Sequence, residues 1–185
     1  MKHLYFVRHG QSLVNVGGKF CTQVGTELDQ GLTELGREQA VADGKKAAAA
    51  GMHFDLMLTS PLVRARQTAT LIAEQIGYAP ADIEVFDLIK ELDFGELQGT
   101  DCELFYDNYT YADLGKFKGA ETVEQLQERA EKALAHVRQL PQDNILLVSH
   151  SLFGRAIRRV VEDKPYTDEF TNGTSLPHGE ILQLI

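Results

Sequence analysis

The sequence predicts an α/β fold with three layers, a mostly parallel sheet with helices on both faces. Three observations predict it. Four short apolar runs, Leu4–Val7, Leu56–Leu58, Ile83–Ile89 and Ile145–Val148, are spread along the 185 residues. Runs this short and this continuous suit strands buried on both faces rather than half-exposed ones. Helical periodicity fills the stretches between them, as parallel connections require. No repeat and no Pro- or Ser-rich linker divides the chain, so residues 1–185 read as a single domain.

Taken in order, Leu4–Val7 is the first strand, and a helix over Thr33–Ala50 follows although Gly36 and Gly44 interrupt its pattern. After Leu56–Leu58, Ser60-Pro61 reads as an N-cap with proline in the first helical position. Leu62, Ala65, Ala69, Ile72, Ala73 and Ile76 form the apolar stripe behind it, and Gly77 ends the helix. The third run, Ile83–Ile89, is broken by Glu84 and Asp87. A further helix starts at Thr122, where Gln125 completes a capping box; Val123, Leu126, Ala130, Ala133, Leu134 and Val137 are its buried face. Ile145–Val148 is the fourth strand, a helix runs from about Leu152 to Glu162, and Glu180–Ile185 reads as a last strand.

Composition excludes several classes. The net charge of −9 disfavours a nucleic-acid or anionic-membrane binder, since phosphate backbones reward clustered Lys and Arg. Cys21 and Cys102 form no CxxC and suggest neither a disulfide scaffold nor a structural zinc site. No apolar stretch is long enough to span a bilayer. After Leu4–Val7 the polar pair Arg8-His9 comes at once, unlike a secretory signal, so the expected setting is cytoplasmic.

In such folds ligands bind beyond the carboxyl ends of the strands, where helix N-termini offer unpaired N–H groups. Arg8-His9-Gly10 follows the first strand, and Ser60-Pro61 with Arg64 follows the second. Lys90-Glu91 follows the third and Ser149-His150 the fourth. Two arginines, two histidines and a carboxylate thus meet on one rim. A phosphomonoester asks for that set. Arginine forks match the non-bridging oxygens, an unprotonated imidazole nitrogen can attack phosphorus, and a carboxyl group can protonate the departing oxygen. Singly, each residue has an ordinary reading, as surface polarity or a hydrogen-bonded core histidine; together they would need four separate accidents. His3, His53, His136 and His178 lack such support and read as ordinary residues.

Arg8-His9-Gly10-Gln11-Ser12 with Asn15, Asp29-x-x-Leu32-Thr33-x-x-Gly36 and Ser60-Pro61-Leu62-x-Arg64-Ala65-x-Gln67-Thr68-Ala69 appear in sequence. Glu91-x-x-x-Gly95-x-Leu97-Gln98-Gly99, Gly119-Ala120-Glu121-Thr122 with Arg129, and Val148-Ser149-His150 follow. This ordered set resembles the histidine phosphatase superfamily, in its phosphoglycerate-mutase-like branch. The resemblance implies His9 as the nucleophile that becomes phosphohistidine, Glu91 as the proton donor and acceptor, and Arg8, Arg64, His150 and Asn15 as phosphoryl-binding residues. It implies no metal and no organic cofactor, and a small-molecule phosphomonoester as the partner.

Two departures stand out. Ser151 occupies the place after the second histidine where the family usually has glycine, and Gly25 is displaced by one residue in the loop between Asn15 and Asp29. That loop, with Lys19, Cys21 and Thr22, is expected to border the entrance. Hydrolysis is favoured over mutase chemistry because only a short segment, residues 100–119, separates Gly99 from Gly119, where mutases of the family carry a longer insertion. Its aromatics, Phe105, Tyr106, Tyr109, Tyr111 and Phe117, make it the candidate lid, or else a plain aromatic cluster. Two readings compete from other classes. A non-catalytic phosphate-binding scaffold would keep the arginines but could lose His9 or Glu91. A serine α/β-hydrolase would use Ser151 with Asp168 and His178, yet both glycines of its elbow are replaced, by Ser149 and Phe153.

Overall fold

The computed structural model describes residues 1–164, 176 and 178–185. Its sheet contains β1 (His3–Arg8), β2 (Leu56–Thr59), β3 (Glu84–Val85), β4 (Asn144–Ser149) and β5 (Ile181–Gln183), in the order β3-β2-β4-β1-β5. β1, β2, β3 and β4 pair in parallel, and β5 lies antiparallel beside β1. The fold is the α/β sandwich expected from the alternation of runs.

Helices α2 (Glu34–Ala49) and α3 (Val63–Ile76) cover one face, α5 (Val123–Gln139) and α6 (Ser151–Val161) the other. Alternation along β1 shows why. Leu4 and Phe6 join the apolar cluster of Leu126, Leu134, Phe153 and Ile157, whereas Val7 joins that of Ala69, Ile72 and Ala73. Both faces of each central strand are therefore dry, and β4 is buried from Ile145 to Ser149. Two short helices, α1 (Leu13–Gly17) and α4 (Cys102–Tyr106), stand outside this frame near the strand ends.

The glycines that interrupt α2 have a packing reason. A Cβ on Gly36 would run into the Gln11 carbonyl, and one on Gly10 into that of Gly36, so the two backbones touch where the loop after β1 crosses α2. On the same helix, a Cβ at Gly44 would lie 2.7 Å from Cβ of Gln75 on α3.

Two expectations are corrected. The third strand is only Glu84–Val85, an exposed edge, and Asp87–Ile89 turn into a short 3-10 helix. The charges at Glu84 and Asp87 suit an edge open to water, not a run buried on both sides. Nor does Ser60 cap α3. The helix begins at Val63, whose N–H donates to Asp29 Oδ1 (3.0 Å), a cap delivered from a distant loop. The capping box at Thr122 and Gln125 stands as expected.

Candidate active site

Strand register builds the site. β1, β4 and β2 are neighbours, with Val7 level with Val148 and Val148 level with Thr59. His9, His150 and Ser60 therefore leave three adjacent strands side by side. The alignment continues past the strands, with the His9 N–H donating to the Ser149 carbonyl (2.9 Å) and the Ser60 N–H to that of Val148 (3.0 Å).

His9 is 3% exposed, and its Nδ1 lies 2.7 Å from the Gly10 carbonyl. A carbonyl only accepts, so Nδ1 carries the proton and Nε2 presents a lone pair. Arg64, in the first turn of α3, aims its Nε–H at that nitrogen (3.1 Å) and donates from Nη2 to the Cys21 carbonyl (2.9 Å). Burial first, then the Arg64 charge, hold the His9 imidazole well below its ordinary range, so it is neutral near pH 7. The His150 ring stands 5.0 Å from that of His9 at 63°, with its Nε2 2.8 Å from Ser60 Oγ. Burial, followed by Arg64, also lowers His150 well below the usual value. Two nitrogens around His9, Arg64 Nη1 and His150 Nδ1, are buried with no partner among the described residues.

Glu91 sits on the N-terminus of α6. Its Oε1 accepts from the N–H groups of Leu92 and Phe153 (both 3.0 Å), and its Oε2 from that of Leu152 (3.1 Å). The loop carrying it is gripped by its carbonyls. Arg129 donates to those of Leu88 (2.8 Å), Lys90 (2.7 Å) and Glu91 (3.2 Å), and Ser149 Oγ to that of Ile89 (2.6 Å). Arg129 is itself fixed by a two-pronged ion pair with Glu121, both contacts 2.7 Å. This explains why Glu121 and Arg129 belong with the acid loop: they shape it from behind.

Arg8, His9, Asn15, Arg64 and Glu91 line one cleft of about 270 Å³. His150 does not; it is fully buried behind His9. Asn15 Oδ1 is engaged by the backbone and hydroxyl of Ser12 (3.1 and 2.8 Å), a capping box that leaves its amide nitrogen for the cleft. Ser151, also on the wall, opens α6 in ordinary helical geometry, without the strained turn of a hydrolase elbow. Serine therefore replaces the family glycine without backbone cost.

Sequence reasoning missed three residues here. Arg155, one turn after Ser151 on α6, lines the cleft, as does Lys19, which was placed only near the entrance. In a chain of net charge −9, the cleft is lined among the described residues by four cations, Arg8, Lys19, Arg64 and Arg155, and one carboxylate, Glu91. The third is His178, read as ordinary. Its ring lies 5.8 Å from that of His9, and its Nδ1 donates to the His9 carbonyl (2.6 Å). Nothing in its neighbourhood along the chain signals this, since contact with β1 depends on the antiparallel return of β5. Asp168 lies outside the described residues.

Of the aromatic segment, Tyr106 and Tyr111 line the cleft with their hydroxyls 2.8 Å apart. Phe105 is instead the hub of an aromatic cluster, packing edge-on against Phe20 (5.5 Å) and at a tilt against Phe117 (5.9 Å). Among the described residues no group of three or more His, Cys, Asp or Glu is arranged to hold a metal, and no helix is long and apolar enough to cross a membrane.

Residues 4–175 match the profile of the histidine phosphatase superfamily, branch 1. The chain belongs to that superfamily. Members of the histidine phosphatase superfamily are phosphatases or mutases. Over 96 residues the chain is 41% identical to the 2,3-bisphosphoglycerate-dependent phosphoglycerate mutase of Bartonella quintana, covering 52% of this chain and 45% of that protein. A protein of the same name from Rhizobium meliloti is 40% identical over 96 residues, covering 52% and 44%. The matched stretch spans about half the length of these curated relatives. Among solved structures, the α-ribazole phosphatase of Shigella flexneri has a TM-score of 0.79 at 21% identity, covering 98% of this chain and 89% of that one. A mycobacterial glucosyl-3-phosphoglycerate phosphatase has a TM-score of 0.77 at 24% identity, covering 99% and 92%. These two likenesses establish a shared fold for this superfamily member.

Proposed function

We propose that this histidine phosphatase superfamily member is a phosphomonoester hydrolase working through a phosphohistidine on His9. The observation that carries the reading is the neutral His9 imidazole, its Nε2 lone pair facing a cleft rimmed by guanidinium groups. Substrate phosphoryl oxygens take the Arg64 donors, including the unpartnered Nη1, together with Arg8 and the Asn15 amide; His150, buried behind His9, joins them only if a phosphoryl oxygen reaches past the His9 ring to its unpartnered Nδ1. Drawn onto the anion, the Arg64 fork leaves Nε2 free to attack in line with the departing oxygen. Charge that spreads over the phosphoryl oxygens is met by donors already in place.

Glu91 supplies the proton to the leaving alkoxide and then takes one from the water that attacks phosphohistidine. It faces the cleft from the start of α6, and the Arg129 clamp sets its position. No step in this scheme calls on a metal or an organic cofactor, because arginines provide the positive charge. In this reading residues 100–119 cover the leaving group and act as a lid, which the cleft-lining Cys102, Tyr106 and Tyr111 support.

One observation favours a mutase instead: the relatives quoted above carry that name. A mutase has to keep water from its phosphoenzyme. Here Asn15 and Lys19 on the cleft wall are exposed, so water reaches the site, and the segment from Gly99 to Gly119 is short. A panel of phosphomonoesters that includes 3-phosphoglycerate with its bisphosphate primer separates the two. Hydrolysis releases inorganic phosphate from every substrate turned over; isomer formation from 3-phosphoglycerate without phosphate release would overturn the hydrolase reading. A scaffold would bind phosphate and turn over nothing.

A further inference from the structure

We propose that His178 is a positioning residue, whose Nδ1–H holds the His9 carbonyl and thereby keeps the His9 imidazole aligned for attack. The inference rests on reading His9 as the nucleophile. It comes from how one peptide unit is held. The oxygen of the His9–Gly10 peptide accepts from His178 (2.6 Å), and its N–H donates to Thr68 Oγ1 (3.2 Å). Thr68 Oγ1 in turn donates to the Arg64 carbonyl (2.9 Å), which ties this peptide to the helix that delivers Arg64.

The next carbonyl along, that of Gly10, is the acceptor that fixes the proton on His9 Nδ1. If the His9–Gly10 peptide rotates, the Gly10 carbonyl swings away from the ring and the lone pair is no longer pinned at Nε2. Glycine offers no side-chain resistance to that rotation, so the restraint has to come from outside the loop. β5 supplies it, because its antiparallel pairing with β1 brings the preceding residue His178 against the end of β1. Burial and the Arg8 charge keep His178 below its ordinary range, which leaves a neutral ring with a single N–H. A carbonyl acceptor places that N–H on Nδ1.

The test compares His178→Ala with His178→Asn in the full chain, with thermal melting to confirm that both are folded. Rapid quench with an aryl phosphate reads phosphorylation of His9, and hydrogen exchange at the Gly10 amide reads the clamp without any chemistry. For His178→Ala we expect phosphorylation slowed roughly 10- to 100-fold at unchanged KM, the scale of a misplaced reacting group. Gly10 exchange should be faster in the same protein. Asparagine can offer an amide N–H to the same carbonyl, so His178→Asn should recover most of the rate and the protection. A folded His178→Ala that phosphorylates and exchanges like the wild type would overturn the proposal, as would an asparagine variant as slow as the alanine one. Wild-type protein that forms no phosphohistidine, yet loses Gly10 protection in His178→Ala, would instead overturn the reading of His9 and leave the clamp standing.

Discussion

At the scale of single residues, the site is a neutral imidazole placed among fixed positive charges. The sequence exposed Arg8, His9, Arg64 and His150 because each stands at, or one helical turn beyond, the end of a strand, where the fold leaves chemistry accessible. Lys19, Arg155 and His178 were not legible as site residues, since a loop, the second turn of α6 and the residues before the returning strand β5 bring them to the site. Glu91 was legible as an acid but not as the acceptor of three backbone N–H groups, two of them at the head of α6. Its proposed role gives a leaving-group signature. Glu91→Gln should slow hydrolysis of an alkyl phosphate by about 10²- to 10⁴-fold, the usual worth of a positioned general acid. With p-nitrophenyl phosphate, whose phenolate departs without help, the loss should be much smaller. Equal losses on the two substrates in steady-state assays would argue against a proton transfer by Glu91.

At the scale of elements, the helix patterns for α2, α3, α5 and α6 were readable from periodicity and caps, and the errors lay in joints. The cap of α3 comes from Asp29, a long-range contact that local rules cannot see, and the third strand is shortened by its place at the sheet edge. The joint with most consequence is the one between α5 and the acid loop. Arg129 and Glu121 have side chains only 16% and 14% exposed, so truncating Arg129 leaves the Glu121 carboxylate without its counter-ion and three loop carbonyls without that donor. Arg129→Ala should lower the unfolding free energy by about 3–5 kcal/mol, as for other broken buried pairs. Chemical denaturation measures this. Among molecules still folded, kcat should fall more than KM rises, because Glu91 loses its support and the arginines proposed to bind the phosphoryl group do not.

At the scale of the whole molecule, the order of strands was beyond the sequence, because parallel runs of similar apolar content do not announce their neighbours. Only the sheet as built, with β4 between β1 and β2, makes the two histidines adjacent. Burying them has a global consequence. His9 and His150 lie well below 6.5 in the folded protein, so below that pH the unfolded chain takes up protons that the native state refuses. Stability present above pH 6.5 is lost as pH falls through that value.

Asp43 works in the opposite sense. Buried in α2, it is pushed up from 3.8 to about 6, so the native state holds a proton that the unfolded chain has released. Its contribution is present below 3.8 and is lost as pH rises through about 6. Asp43→Asn should therefore add about 1 kcal/mol at pH 8, after discounting for screening by water, about half of that at pH 5, and nothing below pH 3.8. Urea unfolding of wild type and variant across pH 5–8 checks both signs. A variant gain at pH 5 equal to that at pH 8 would contradict the assignment to Asp43.

The central claim, that His9 carries the phosphoryl group between substrate and water, has one direct test. Mixing excess protein with a labelled phosphomonoester, quenching within a single turnover and mapping the label by mass spectrometry should find acid-labile, base-stable phosphate on the peptide containing His9, with no label in His9→Ala. Product formation in that experiment with no labelled protein, or with the label on any other residue, would contradict the account.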